Sequence, residues 1–175
     1  IYREYLRMDG MVINTLNAIL RLKPSDAATL SELGNKYRDM GRYNDLIEVL
    51  VNEANSHEDA ARRIEMYLEV ANLWIEHFSN YHQATGPLEQ VLGLDPENRE
   101  ALTKLKDIYE KKRAWKQLYD VLEKERGVAS DPTVRLDNTM GMAKLASERL
   151  HSYSDAITLW REVVDQQPDN ADALD

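Results

Sequence analysis

The chain has 175 residues, 43% of them apolar and 30% charged, with seven glycines and five prolines. That is enough apolar surface for a sizeable core and too few turn residues for an all-β fold. A net charge of −9 argues against a nucleic-acid binder or an adherent of anionic membranes, and the absence of cysteine removes disulfides and thiolate chemistry.

Helical periodicity runs the length of the sequence. It predicts helices near 9–22, 26–40, 43–56, 58–78, 81–93, 98–112, 115–126, 131–150 and 153–166. Leu30, Leu33 and Tyr37, at i, i+3, i+7, share one face of the second helix. Leu46 and Leu50 continue on the third, after a break at Gly41-Arg42, where glycine can take the left-handed conformation that closes a helix. Gly86-Pro87 falls inside the fifth helix and predicts a kink or a late start, because proline removes a donor and clashes one turn back. Gly127 is expected to stop the seventh helix, and Asp131-Pro132 to open the eighth as cap and first helical residue.

These elements repeat. Pro24, Pro96 and Pro168 fall 72 residues apart (96 − 24 and 168 − 96). The same interval matches Leu30 to Leu102 and Leu174, Leu33 to Leu105, Tyr37 to Tyr109, and Tyr43 to Trp115. It also matches Leu46 to Leu118, Leu50 to Leu122, Ala71 to Ala143, Tyr81 to Tyr153, Ala84 to Ala156 and Leu88 to Trp160. Each period holds two helical hairpins, and such periods mark stacked architectures.

The hairpins resemble the tetratricopeptide repeat, whose pattern is W-x2-L-G-x2-Y, then A-x3-F, then P, over about 34 residues. The first complete unit reads Leu30-x2-Leu33-Gly34-x2-Tyr37, with Gly41, Tyr43 and Leu50 in place. The second reads Tyr67-x2-Val70-Ala71-x2-Trp74, then Ala84-x3-Leu88 and Pro96. The third reads Leu102-x2-Leu105-Lys106-x2-Tyr109, and the fourth keeps Met142-Ala143, Ala156-x3-Trp160 and Pro168. There are departures. Leu46 and Leu118 stand where the pattern has a small residue. Gly34 could receive Leu46, whereas Lys106 must snorkel past Leu118. Units two and four carry one extra residue between their helices, and Ala146 replaces an aromatic.

The resemblance implies an all-α, right-handed superhelical solenoid of antiparallel helix pairs. It divides the chain, as one domain, into a partial repeat at 1–24, repeats at 25–56, 57–96, 97–127 and 128–168, and the start of another at 169–175. Both ends are expected to fall inside repeats of a longer array, with Ile1 in the register of Leu73. In such repeats the first helices line a concave surface that holds a peptide or partner helix. Carried over position by position, that surface includes Ser31, Asn35 and Arg38, then Leu68, Asn72 and Ile75. Thr103, Asp107 and Glu110 follow, then Met140, Lys144 and Ser147. Asparagine amides at 35 and 72 can both donate to and accept from a peptide backbone. Leu68, Ile75 and Met140 offer an apolar stripe, unless the longer first helices bury them. The lysine–asparagine clamp for C-terminal carboxylates is not matched, because Ser31 occupies a key lysine position.

No pattern of catalytic chemistry stands out. His57, His77, His82 and His151 include no i, i+4 pair for a metal, and no phosphate loop or nucleophile elbow is present. The tryptophans, Trp74, Trp115 and Trp160, occupy repeat-core positions. The expectation is therefore a non-catalytic scaffold for an unidentified protein or peptide, with no cofactor and no metal. Two alternatives stand beside it. One is RNA binding by the basic cluster of Lys104, Lys106, Lys111, Lys112, Arg113 and Lys116. The other is a spacer, or an array that self-associates through its repeat ends. No membrane span or signal peptide is legible, and a cytoplasmic setting is slightly favoured.

Overall fold

The computed structural model describes the backbone of residues 2–174 and the side chains of 8–171 and 173. The register expected for Ile1, the close of the last partial repeat at Asp175, and the side chain of Leu174 lie outside the described residues. The chain divides into two compact units, Ile1–Leu94 and Asp95–Asp175.

The first unit contains α1 (Tyr2–Leu22), α2 (Ala27–Asp39), α3 (Tyr43–Ser56), α4 (Ala60–Glu76) and α5 (Tyr81–Leu94). Each helix packs on the next in sequence. The core is built from the repeat positions. Leu30, Leu33, Tyr37, Leu46 and Leu50 join Ile13, Leu16 and Val70 in one buried cluster, against which Met66 and Trp74 pack. Gly34 does receive Leu46, whose Cδ1 lies 3.5 Å from where a Cβ would stand.

The second unit contains α6 (Arg99–Lys111), α7 (Trp115–Val128), α8 (Pro132–Glu148), α9 (Tyr153–Gln166) and the short α10 (Ala171–Leu174), again packed in sequence order. Leu102, Leu105, Tyr109, Leu118, Met142, Ala143 and Ala156 are buried. Tyr153 is not: it is 63% exposed, although it shares its register with a repeat position.

The 72-residue period extends to the helix ends. Asp26 caps α2 by accepting from the Thr29 amide at 3.1 Å, and Asn98 caps α6 by accepting from the Ala101 amide at 3.1 Å. Asp59 and Asp131 cap α4 and α8 in the same way, on the amides of Ala61 (2.9 Å) and Thr133 (2.8 Å). Hydroxyl and amide bonds from Thr29 and Thr133 hold the Asp26 and Asp131 carboxyls below their ordinary pKa.

At the C-termini, the Gly41 amide donates to the Arg38 carbonyl and the Arg42 amide to that of Tyr37. The Arg113 amide donates to Glu110, and the Ala114 amide to Tyr109, in the same register. Both closures need a left-handed residue, supplied by Gly41 at φ 66° and by Arg113 at φ 53°. Ser79 (φ 48°) and His151 (φ 54°), also 72 apart (151 − 79), close the one-residue-longer turns after α4 and α8.

Three expectations are corrected. The first helix begins at Tyr2 rather than near residue 9. Gly127 does not stop α7, which runs to Val128 before capping at Ala129. A glycine in an otherwise favourable turn lowers helix propensity without ending the helix. Helix α5 starts at Tyr81, as its periodicity predicts, and carries Pro87 within it, so of the two alternatives at Gly86-Pro87 the late start is the one overturned. The Asn80 side chain accepts from the Gln83 amide at 3.2 Å, and Ala84, Leu88 and Val91 are buried, which secures the helix around the proline.

Candidate protein-binding surface

In the first unit the expected surface residues lie on α2 and α4. Ser31, Asn35 and Arg38 are exposed, whereas Leu68, Asn72 and Ile75 are half-buried. Arg38 joins the two helices. Its Nη1 donates to Asn35 Oδ1 at 2.8 Å and its Nη2 to Glu69 Oε1 at 2.6 Å. The sequence reading missed Glu69, which sits one residue from Leu68 and fixes Arg38. The Asn35 amide oxygen is thereby engaged, while the Asn72 side chain makes no hydrogen bond within the described residues. The longer α4 leaves Leu68 and Ile75 half-exposed rather than burying them.

In the second unit, Thr103, Asp107, Glu110 and Lys144 are exposed and Met140 and Ser147 are half-buried. Met140 Sδ lies 3.7 Å from the Asn170 amide nitrogen. The Ser147 hydroxyl donates to the carbonyls of Ala143 and Lys144, both at 3.1 Å, which leaves it little to offer a ligand.

The basic cluster is partly neutralised. Lys104 pairs with Glu100 at 3.5 Å, and Lys106 with Glu125 at 2.8 Å. Its aromatics are occupied too. Tyr109 is buried, and the Arg149 guanidinium covers the Trp115 ring at 5.3 Å. His77 stacks on Tyr43 with ring centroids 3.6 Å apart, in the register of the Arg149–Trp115 pair, so it serves as packing at a helix C-cap. Among the described residues no group of three or more His, Asp or Glu could hold a metal, and no helix is long and apolar enough to cross a membrane.

Paired antiparallel helices, a Leu-x2-Leu-Gly/Lys-x2-Tyr core in α2 and α6 and a recurring left-handed closure are now all in place. The architecture is a tetratricopeptide-like helical repeat. Among solved structures the chain is similar to MamA, at 18% identity over 93% of this chain and 92% of that one, with a TM-score of 0.46. It is similar to YrrB, a TPR protein with an unusual peptide-binding site, at 14% identity over 98% and 84%, with a TM-score of 0.47. A tetratricopeptide repeat protein from Parabacteroides merdae matches at 19% identity over 97% and 66%, with a TM-score of 0.48. No family model and no curated protein matches the sequence.

Proposed function

We propose that the chain is a non-catalytic scaffold that binds a protein or peptide on the faces of its first helices. The repeats at 25–56, 57–96, 97–127 and 128–168 are its working units. The observation that carries this reading is on α4. Leu68 and Ile75 stay half-exposed, with the uncommitted amide of Asn72 between them at i+4 and i+7. Apolar side chains flanking a two-way hydrogen-bonding group suit a peptide whose backbone is held whatever its sequence. Asn35 and Arg38 border that face in the first unit. In the second, Asp107, Glu110, Met140 and Lys144 are the corresponding contacts, and their mixed charge suits a polar partner. RNA binding is not favoured, because two of the cluster's lysines are paired and both of its aromatics are covered.

The test is capture from an extract of the source organism, comparing the parent with a Leu68→Glu/Asn72→Glu variant of equal helicity. Proteins held by the parent and lost by the variant support the reading. Equal retention by both overturns it.

A further inference from the structure

A cleft of about 820 Å³ lies between α1 and α3 over α2, wholly within the first unit. It uses the face of α2 that carries Leu30, Leu33 and Tyr37, not the face that carries Asn35 and Arg38. Those three residues and Val49 are buried core side chains that close its bottom, with the Arg42 guanidinium over the Tyr37 ring at 4.8 Å, and half-buried Leu20 adds exposed apolar surface. One wall presents Asn14, Asn17 and Arg21 at i, i+3, i+7 along α1. The other presents Glu48, Asn52 and Ser56 at i, i+4, i+8 along α3. Two helix faces thus line the cleft along its length.

Several of the polar side chains that line it are free to meet a ligand. The side chains of Asn14, Asn17, Asn52, Glu48 and Arg21 make no hydrogen bond or ion pair within the described residues. By contrast Asp45, at the cleft's rim, is held by two 2.9 Å bonds from Arg42. Three amides that each donate and accept, set along two parallel walls, match the main chain of an extended peptide. The charges add direction. Short connections make α1 and α3 both antiparallel to α2, hence parallel to each other. Glu48 therefore stands toward one end of the cleft and Arg21 toward the other, near Ser25 and Ser56. Eight residues of α3, from Glu48 to Ser56, rise roughly 12 Å, the length of about four extended residues.

We infer that this cleft is a second peptide site, which takes an extended protein segment with Lys or Arg at one end and a carboxylate about three residues away. The inference is independent of the surface on α4 described above.

The probe is a phage-displayed library of random heptapeptides, selected on the intact chain, with enriched peptides resynthesised and titrated by calorimetry. The expected enrichment is a basic residue and an acidic residue separated by two positions. Glu48→Lys should weaken such a peptide by at least about tenfold through like-charge apposition, and Asn17→Ala/Asn52→Ala should weaken it too. Leu68→Glu/Asn72→Glu should leave it unchanged. The double reversal Glu48→Arg/Arg21→Glu should select the opposite order of charges. Glu48, Asn52 and Arg21 are exposed, so these variants should keep the parent's circular dichroism. The inference fails if no peptide is enriched, if enriched peptides lack the paired charges, or if their binding depends on Leu68 and Asn72 and ignores Glu48.

Discussion

Replacing Arg113 with glycine should stabilise the protein, although it deletes a side chain and adds backbone freedom. Arg113 sits at φ 53°, where an L-residue's Cβ crowds the following carbonyl at a cost of about 1–2 kcal/mol. Glycine removes that cost but enlarges the unfolded ensemble, which returns about 0.4–1 kcal/mol. The net gain is about 0.5–1 kcal/mol. The exposed Arg113 side chain makes no ion pair within the described residues, and its amide bond to Glu110 at 2.9 Å survives the change. The register supplies the reciprocal experiment. Gly41 holds the same position 72 residues earlier at φ 66°, so Gly41→Ala should lose about 0.5–1 kcal/mol once the same unfolded-state offset is counted. A third variant separates this argument from a general effect of glycine. Gly34 is in ordinary helical conformation, and a Cβ there would meet Leu46 at 3.5 Å, a normal contact. Gly34→Ala should therefore gain about 0.5–1 kcal/mol. Urea unfolding followed at 222 nm reads all three as midpoint shifts. A lower midpoint for Arg113→Gly, or an unchanged one for Gly41→Ala, would refute the reasoning.

Three further outcomes follow from the same structure. Asn138 is buried on α8 with its amide nitrogen unpartnered, where the register places Met66 in α4; Asn138→Met should raise stability by about 1–2 kcal/mol, and a drop in melting temperature would show that the amide has a partner. Pro87, seventh in α5, leaves the Gln83 carbonyl without its helical donor; Pro87→Ala should gain about 2 kcal/mol after the unfolded-state offset, checked by the urea midpoint. Asp26 and Asp131 have lowered pKa values in the fold, so their contribution is present above the unfolded carboxylate value and fades as pH falls through the folded one. Asp26→Asn/Asp131→Asn should flatten the acid limb of a stability–pH curve, and an unchanged limb would assign acid sensitivity to other carboxylates.

Much of this fold was legible because the sequence states it twice. One apolar position at helical spacing is ambiguous, but Leu30 with Leu102, Leu33 with Leu105 and Tyr37 with Tyr109 constrain the same packing, and all six are buried. Caps were legible where their chemistry is local, as at Asp131-Pro132. What escaped the sequence was whatever depends on tertiary support. Gly127 and Pro87 carry breaker signals that neighbouring turns override. Arg113, Ser79 and His151 take left-handed conformations that nothing in their identity announces; for Arg113 the only signal was its register with Gly41.

The surfaces divide along the same line. Position-by-position carry-over could name Leu68, Asn72 and Ile75, because a single helix face puts them together. It could not show that Arg38 is held by Glu69, because that pair spans α2 and α4. The cleft was less visible still. Asn14, Asn17 and Arg21 on one helix, and Glu48, Asn52 and Ser56 on another, each look like an ordinary solvated face. Only when α2 sets the two helices side by side do two polar stripes become opposite walls of one cleft. Repeat logic explains why the walls exist, since every second helix in the unit faces its counterpart across a first helix. It does not dictate what lines them, so the composition of that cleft is where this chain can differ from any other built on the same plan.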